Sequence, residues 1–202
     1  MSLDKYGAEQ DPYCYPGTGV LRNLLDIHDD EILAVAEREI TMVAANEIEF
    51  IPPPYDLKHL CRIHAQLFGD LYDWAGELRT IDIAKGGTRF CWVSRIRPEA
   101  SKIFERLKQV NWFEGLSRTA LVPLIAEFYG DLNMVHPFRE GNGRAQRLLF
   151  EHLIINAGYQ IDWWPVSEAE WLQANIDSVD CDYTALAGIF DRCIGQAIPT
   201  DV

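Results

Sequence analysis

The twelve residues HPFREGNGRAQR, at positions 136–147, limit the possible folds of this chain more than any other stretch. They break one apolar helical pattern and open another. Upstream, Leu121, Leu124, Ile125, Phe128 and Leu132 recur at helical spacing behind a start at Ser117. Downstream, a helix is expected from about Gly143 to Ala157, with Gly158 as its stop. Pro137, Gly141 and Gly143 place the intervening segment in a loop that feeds a helix N-terminus.

Helical spacing also dominates elsewhere. Residues 29–47 place Ile32, Val35, Ala36, Ile40, Val43 and Ala44 on one expected inward face. Asp56 is expected to cap a helix carrying Leu57, Leu60, Ile63, His64 and Leu67, after the stop signal PPP at 52–54. Pro98 suits the first turn of a helix running to about Val110. The pattern SEAE, Ser167 to Glu170, marks another start, and a last helix is expected over Tyr183–Gln196. Only RTIDIAKGGTRFCWV reads as a hairpin, with Ile81 and Ile83 before the turn at Gly86-Gly87 and Phe90 and Trp92 after it. It suits either a cover for a core edge or a strand edge that pairs with a partner's backbone. The fold class is thus all-α, mainly a helical bundle, with one short β-hairpin flap near residues 80–93. One domain over residues 1–202 is expected, since no repeat or linker divides the chain.

The loop's mixture of groups asks for chemistry rather than packing alone. Backbone N–H groups and the positive end of a helix form an anion site, and Gly141 and Gly143 let the backbone approach a phosphate. Arg144 and Arg147 are three apart, so both are expected on one side of the first turns, suited to a triphosphate. Glu140 would repel phosphate unless a cation such as magnesium bridged them. His136 can be neutral near pH 7 and accept a proton from a hydroxyl. Phe138 is expected to plug the core and anchor the loop.

Charge sharpens the point. The net charge is −13, which disfavours direct nucleic-acid binding and anionic membrane surfaces. Against that background Arg79, Lys85, Arg89, Arg95 and Arg97 face only Asp82 in their stretch, and Arg139, Arg144 and Arg147 face only Glu140. Both clusters are read as local positive charge for a nucleotide. Five scattered cysteines form no CxxC pair and are expected mostly as buried thiols of a reducing compartment. His59 and His64 are five apart, wrong for sharing a metal on a helix face, and His28 and His152 look isolated. The N-terminus lacks an apolar signal core and no run reaches transmembrane length, so the expected location is cytoplasmic.

HPFREGNGR followed by Arg147 is similar at every defined position to the Fic-domain motif HxFx(D/E)GNGRxxR. DLYDWAGELRTIDIAKGG resembles the segment before and through the Fic flap, and DPYCYPGTGVLRNLLDI looks like the opening of short, stand-alone bacterial Fic toxins. The resemblance covers nearly the whole chain. It implies a helical fold that transfers AMP from ATP, with magnesium, to a hydroxyl side chain of a target protein. By position, it implies His136 as general base, Glu140 as the magnesium holder and Asn142 with Gly141 and Gly143 at the α-phosphate. Arg144 would then meet the β-phosphate region and Arg147 the γ-phosphate. More loosely, Asn175 matches a position near adenine, and Ile83 and Lys85 sit where the flap would pin the target.

Many Fic proteins carry an inhibitory (S/T)xxxE(G/N) helix, and this chain has none, since neither Glu114-Gly115 nor Glu140-Gly141 follows a Ser or Thr at the required spacing. The resemblance therefore implies a small antitoxin that supplies the glutamate in trans, and DNA gyrase and topoisomerase IV ATPase subunits as targets. Two other readings stay open at this level. One is a Fic-fold transferase with another donor, phosphocholine or phosphate. The other is a non-catalytic module whose basic flap grips an acidic protein.

Overall fold

The computed structural model describes residues 11–199. Seven helices carry it among the described residues: α1 (Asp30–Glu47), α2 (Leu57–Phe68), α3 (Ile96–Gln109), α4 (Arg118–Val135), α5 (Asn142–Asn156), α6 (Glu168–Asp177) and α7 (Thr184–Cys193). Two small antiparallel pairs complete it, β1 (Ala84–Lys85) with β2 (Thr88–Arg89), and β3 (Tyr159–Ile161) with β4 (Ile194–Ala197). The helix starts follow local capping chemistry. Asp29 accepts the Ile32 N–H at 3.0 Å, Asp56 that of His59 at 2.8 Å, and Ser167 that of Glu170 at 3.3 Å.

Helices α4 and α5 form the centre. Leu121, Ile125 and Leu132 of α4 and Leu149, Phe150, Leu153 and Ile154 of α5 are fully buried. Helix α7 packs on α4, α2 packs on both α1 and α5, and Phe138 of the intervening loop is fully buried as expected. No helix among the described residues is long and apolar enough to cross a membrane.

Helix α1 is rotated from the expected face: Ile32, Val35 and Val43 are exposed, Ile40 and Ala44 pack against the core only in part, and Leu33 and Thr41 are buried. The physical reason is Glu37, which lies on the line of Leu33 and Thr41, one turn from each, and points inward to an arginine described below. An ion pair, not the apolar count, sets the rotation. The last helix ends at Cys193 rather than Gln196, because residues 194–197 leave it to pair with β3, in register Tyr159↔Ala197 and Ile161↔Ile194. Gly158, at φ 90°, turns the chain out of α5 into that pair, and its carbonyl accepts the Ile198 N–H at 2.8 Å. The thiols are also less uniform than expected. Cys14 and Cys193 are buried, Cys61 and Cys91 half-buried, and Cys181 exposed.

Candidate active site

The loop at 136–141 joins the two central helices and is held on every side. His136 ends α4 in the left-handed region at φ 45°, a conformation that costs a non-glycine residue about 1 kcal/mol or more. Arg79 holds it there. The guanidinium is buried and donates from Nε to the His136 carbonyl at 2.8 Å, from one terminal nitrogen to Ile81 O at 2.7 Å, and from the other to Cys91 O. The Arg79 N–H donates to Pro137 O at 2.9 Å and the Cys91 N–H to Met134 O at 3.0 Å. Arg79 is therefore a staple between the flap base and the loop. It does not belong to the charge available to a nucleotide, because its donors face carbonyls and burial holds its pKa below the usual guanidinium value.

Arg139 is withdrawn in the same way. Its Nε donates at 2.5 Å to Asp11, and both side chains are 2% exposed. Asn142 is buried and bonds the loop to itself: its Oδ1 accepts the Phe138 N–H and its Nδ2 donates to Phe138 O, both at 2.8 Å. Gly141 caps α5 at φ 77°, and a Cβ there would lie 2.3 Å from the Phe68 ring. Only glycine fits. Gly143 differs, for a Cβ there would meet nothing within 4 Å. Among the described residues the N-terminus of α5 has no side-chain cap, and backbone N–H groups in such a position can bind an anion.

The imidazole of His136 lies beside this cradle. The Asn133 carbonyl, 3.0 Å from Nδ1, can only accept, so Nδ1 carries the proton and the lone pair is on Nε2. The Phe90 ring stacks on the imidazole at 3.7 Å. Burial pushes the imidazole down to about 4, against the upward pull of the Asn133 hydrogen bond, so it is neutral at pH 7.

The two motif arginines diverge, contrary to the expected shared side. Arg144 reaches α1: it pairs with Glu37, donates to Thr41 Oγ1 at 3.2 Å, lies 3.9 Å from Glu140 and sits over Phe68. The Tyr72 hydroxyl donates to the other oxygen of Glu37. Arg147 instead lies over the Trp171 ring of α6, at 5.9 Å, and has no ion pair among the described residues. Asn175, one turn further along α6, donates to Trp171 O at 2.7 Å.

Glu140 stands at the mouth of the cradle, 12% exposed in its side chain. Among the described residues no group of three His, Cys, Asp or Glu could hold a metal alone. A single carboxylate beside an anion site fits magnesium bound jointly with phosphate oxygens and water. On the flap, Lys85 is exposed, whereas Ile83 is 2% exposed against Phe90 and Ile81. Ile83 therefore packs the inner side of the flap.

Sequence spacing could not show what supports the site from afar. His59 and His152 are 93 residues apart in the chain, yet Nε2 of one lies 3.3 Å from Nδ1 of the other, both buried. His152 is not isolated. Glu37, Asp11 and His64, all in contact with the loop or its arginines, carried no local signal beyond their residue type.

The model of the family described as Fic/DOC matches residues 54–154. The "Probable protein adenylyltransferase Fic" of Salmonella typhimurium is 42% identical over 198 residues, covering 98% of this chain and 99% of that one. "Protein adenylyltransferase VbhT" of Bartonella schoenbuchensis is 38% identical over 87% of this chain and 37% of its own length. Among solved structures, the BepC protein of Bartonella tribocorum with bound AMPPNP superposes over the whole of both chains, with a TM-score of 0.85 and 25% identity. An N-terminal Fic domain of Bartonella quintana with bound ADP gives a TM-score of 0.85 at 28% identity, over 92% of this chain and 95% of that one.

Proposed function

The chain belongs to the Fic/DOC family, and from that premise we propose that it is a protein adenylyltransferase, moving AMP from ATP to a hydroxyl side chain of a protein. The acceptor oxygen attacks the α-phosphorus, and the bond from that phosphorus to the oxygen bridging the β-phosphate breaks. Pyrophosphate leaves, and the hydroxyl proton passes to Nε2 of His136. The observation that carries this reading is the placement of that lone pair. The Asn133 carbonyl fixes the tautomer, beside an uncapped helix N-terminus with open space at Gly143.

The cradle N–H groups would meet the α-phosphate, with Asn142 shaping the loop beneath it. Arg144, oriented by Glu37, and Arg147 would balance the β- and γ-phosphates. Asn175 would border the adenine and Lys85 the acceptor protein. Magnesium, when bound with ATP, supplies neutralisation of phosphate charge, and Glu140 is the residue that would hold it.

Regulation follows from Arg147, whose charge acts on Glu151 one turn along α5 only through space. Because Arg147 lies over Trp171 and makes no ion pair among the described residues, a small partner protein offering a glutamate there would block the γ-phosphate. That is the antitoxin half of a toxin–antitoxin pair acting in the cytoplasm. The acceptors proposed by resemblance are the ATPase subunits of DNA gyrase and topoisomerase IV.

Incubating the protein with α-labelled ATP, magnesium and a bacterial lysate should label a few protein bands. His136→Ala should abolish labelling, a loss of at least about a hundred-fold, while calorimetry still detects ATP binding. Undiminished labelling by that variant would remove the mechanism. A label found to be phosphate alone would change the donor chemistry.

A further inference from the structure

His64 of α2 is fully buried, its ring flat between Phe138 at 3.9 Å and Phe68 at 4.6 Å. Its two nitrogens meet two backbone groups of opposite kind. The Gly76 N–H can only donate, and it reaches Nδ1 at 2.9 Å. Nδ1 therefore carries no proton. Nε2 lies 2.9 Å from the Glu140 carbonyl oxygen, which can only accept, and so it holds the proton. The other neutral tautomer would fail at both contacts, and a protonated ring would set two donors face to face at Gly76.

The carbonyl that His64 holds belongs to the peptide joining Glu140 to Gly141. In a trans peptide the C=O and the following N–H point in opposite directions. Drawing the oxygen inward to a fully buried ring therefore turns the Gly141 N–H outward. There it donates to Glu140 Oε1 at 3.0 Å, an anionic oxygen of the chain itself and the kind of atom a phosphate would offer. Phe68, one turn along α2 from His64, admits only glycine at 141. One face of α2 thus dictates both the residue and the orientation of this peptide.

We propose that His64 is a positioning residue of the phosphate cradle, its fixed tautomer setting the Glu140–Gly141 peptide so that the Gly141 N–H faces the polyphosphate. The proposal rests on the adenylyltransferase reading and adds to it a residue that never touches the nucleotide. Its rival is plain packing, in which a phenylalanine would serve as well as an imidazole.

The test uses the full chain, with calorimetric titration of ATP plus magnesium chloride and, separately, of adenosine, and ¹⁵N NMR of the histidine rings. The wild-type spectrum should report the Nε2–H tautomer for His64. His64→Gln, which keeps a donor near the Nε2 position, should bind ATP within about three-fold of wild type. His64→Asn, which can still accept from Gly76 but falls short of Glu140, and His64→Phe should each weaken ATP about ten-fold and leave adenosine unchanged. An Nδ1–H tautomer in the wild type, a folded His64→Phe with wild-type ATP affinity, or equal losses for ATP and adenosine would each overturn the proposal. If His64→Phe does not fold, the tautomer and the Asn–Gln contrast decide it. Wild-type protein that binds no ATP would instead defeat the adenylyltransferase reading, whereas wild-type binding with indifferent His64 variants defeats this inference alone.

Discussion

Two glycines two positions apart have opposite reasons to be glycine. At Gly141 the constraint lies in the fold: φ is 77° and a Cβ would sit 2.3 Å from Phe68. Gly141→Ala should therefore lower stability by about 2–4 kcal/mol, seen as a reduced urea midpoint. At Gly143 the constraint is the space above, since a methyl there touches nothing and replaces a flexible residue in a helix. Gly143→Ala should hold or raise the melting temperature while weakening ATP about ten-fold by calorimetry. A loss of stability in both variants would show that the second position too is only structural. The sequence motif named both residues, but only the coordinates separate their purposes.

Between elements, the connection that matters most to the site runs from α1 to α5. Glu37 and Thr41 meet Arg144 while Tyr72 holds the second oxygen of Glu37, so the first helix braces the helix that carries the cradle. Apolar counting along α1 places Ile40 and Ala44 rightly but sets the face off by a rotation, because it treats Glu37 as solvent-facing. A half-buried carboxylate with two partners outweighs exposed isoleucine and valine, which cost little at a surface. Summed charges along the flap and loop mislead for the same reason, since they cannot show that Arg79 and Arg139 are spent inside. Capping chemistry, by contrast, is legible, because Asp56 and Ser167 act on N–H groups three residues away. A double-mutant cycle of Glu37→Gln and Arg144→Gln, followed by urea unfolding, should give a coupling of about 1–3 kcal/mol. Additive losses would mean that the helices do not meet through this pair.

Across the whole molecule, neutral imidazoles are built into the interior. Burial pushes His64 and His152 down to about 4 and lowers His59, with Arg62 pressing the same way. In the unfolded chain His64 and His152 take up protons near their ordinary pKa of 6.5, while in the folded chain they resist until about 4. The unfolded state binds more protons in that window, so stability should fall as pH drops from about 6.5 to 4. Each histidine can contribute a slope of up to about 1.4 kcal/mol per pH unit. Thermal melts should be level above pH 7 and decline below 6.5, and His152→Leu should shallow the decline. An unchanged slope in that variant would place the acid sensitivity elsewhere.

The buried contact between Arg139 and Asp11 bears on how the chain can be cut. A fragment amputated to residues 54–154 would keep every side chain of the loop and leave a guanidinium stranded in hydrocarbon, at about 3–5 kcal/mol. The same scissors would take Glu37 and Thr41 from Arg144 and strip Phe190 from Tyr129 of α4. Such a fragment should keep helical far-ultraviolet dichroism but lose its near-ultraviolet signal, and no added nucleotide should restore it. Engineers wanting a minimal version must therefore trim around residue 11, because the shortest piece that spells the site is too short to hold it open.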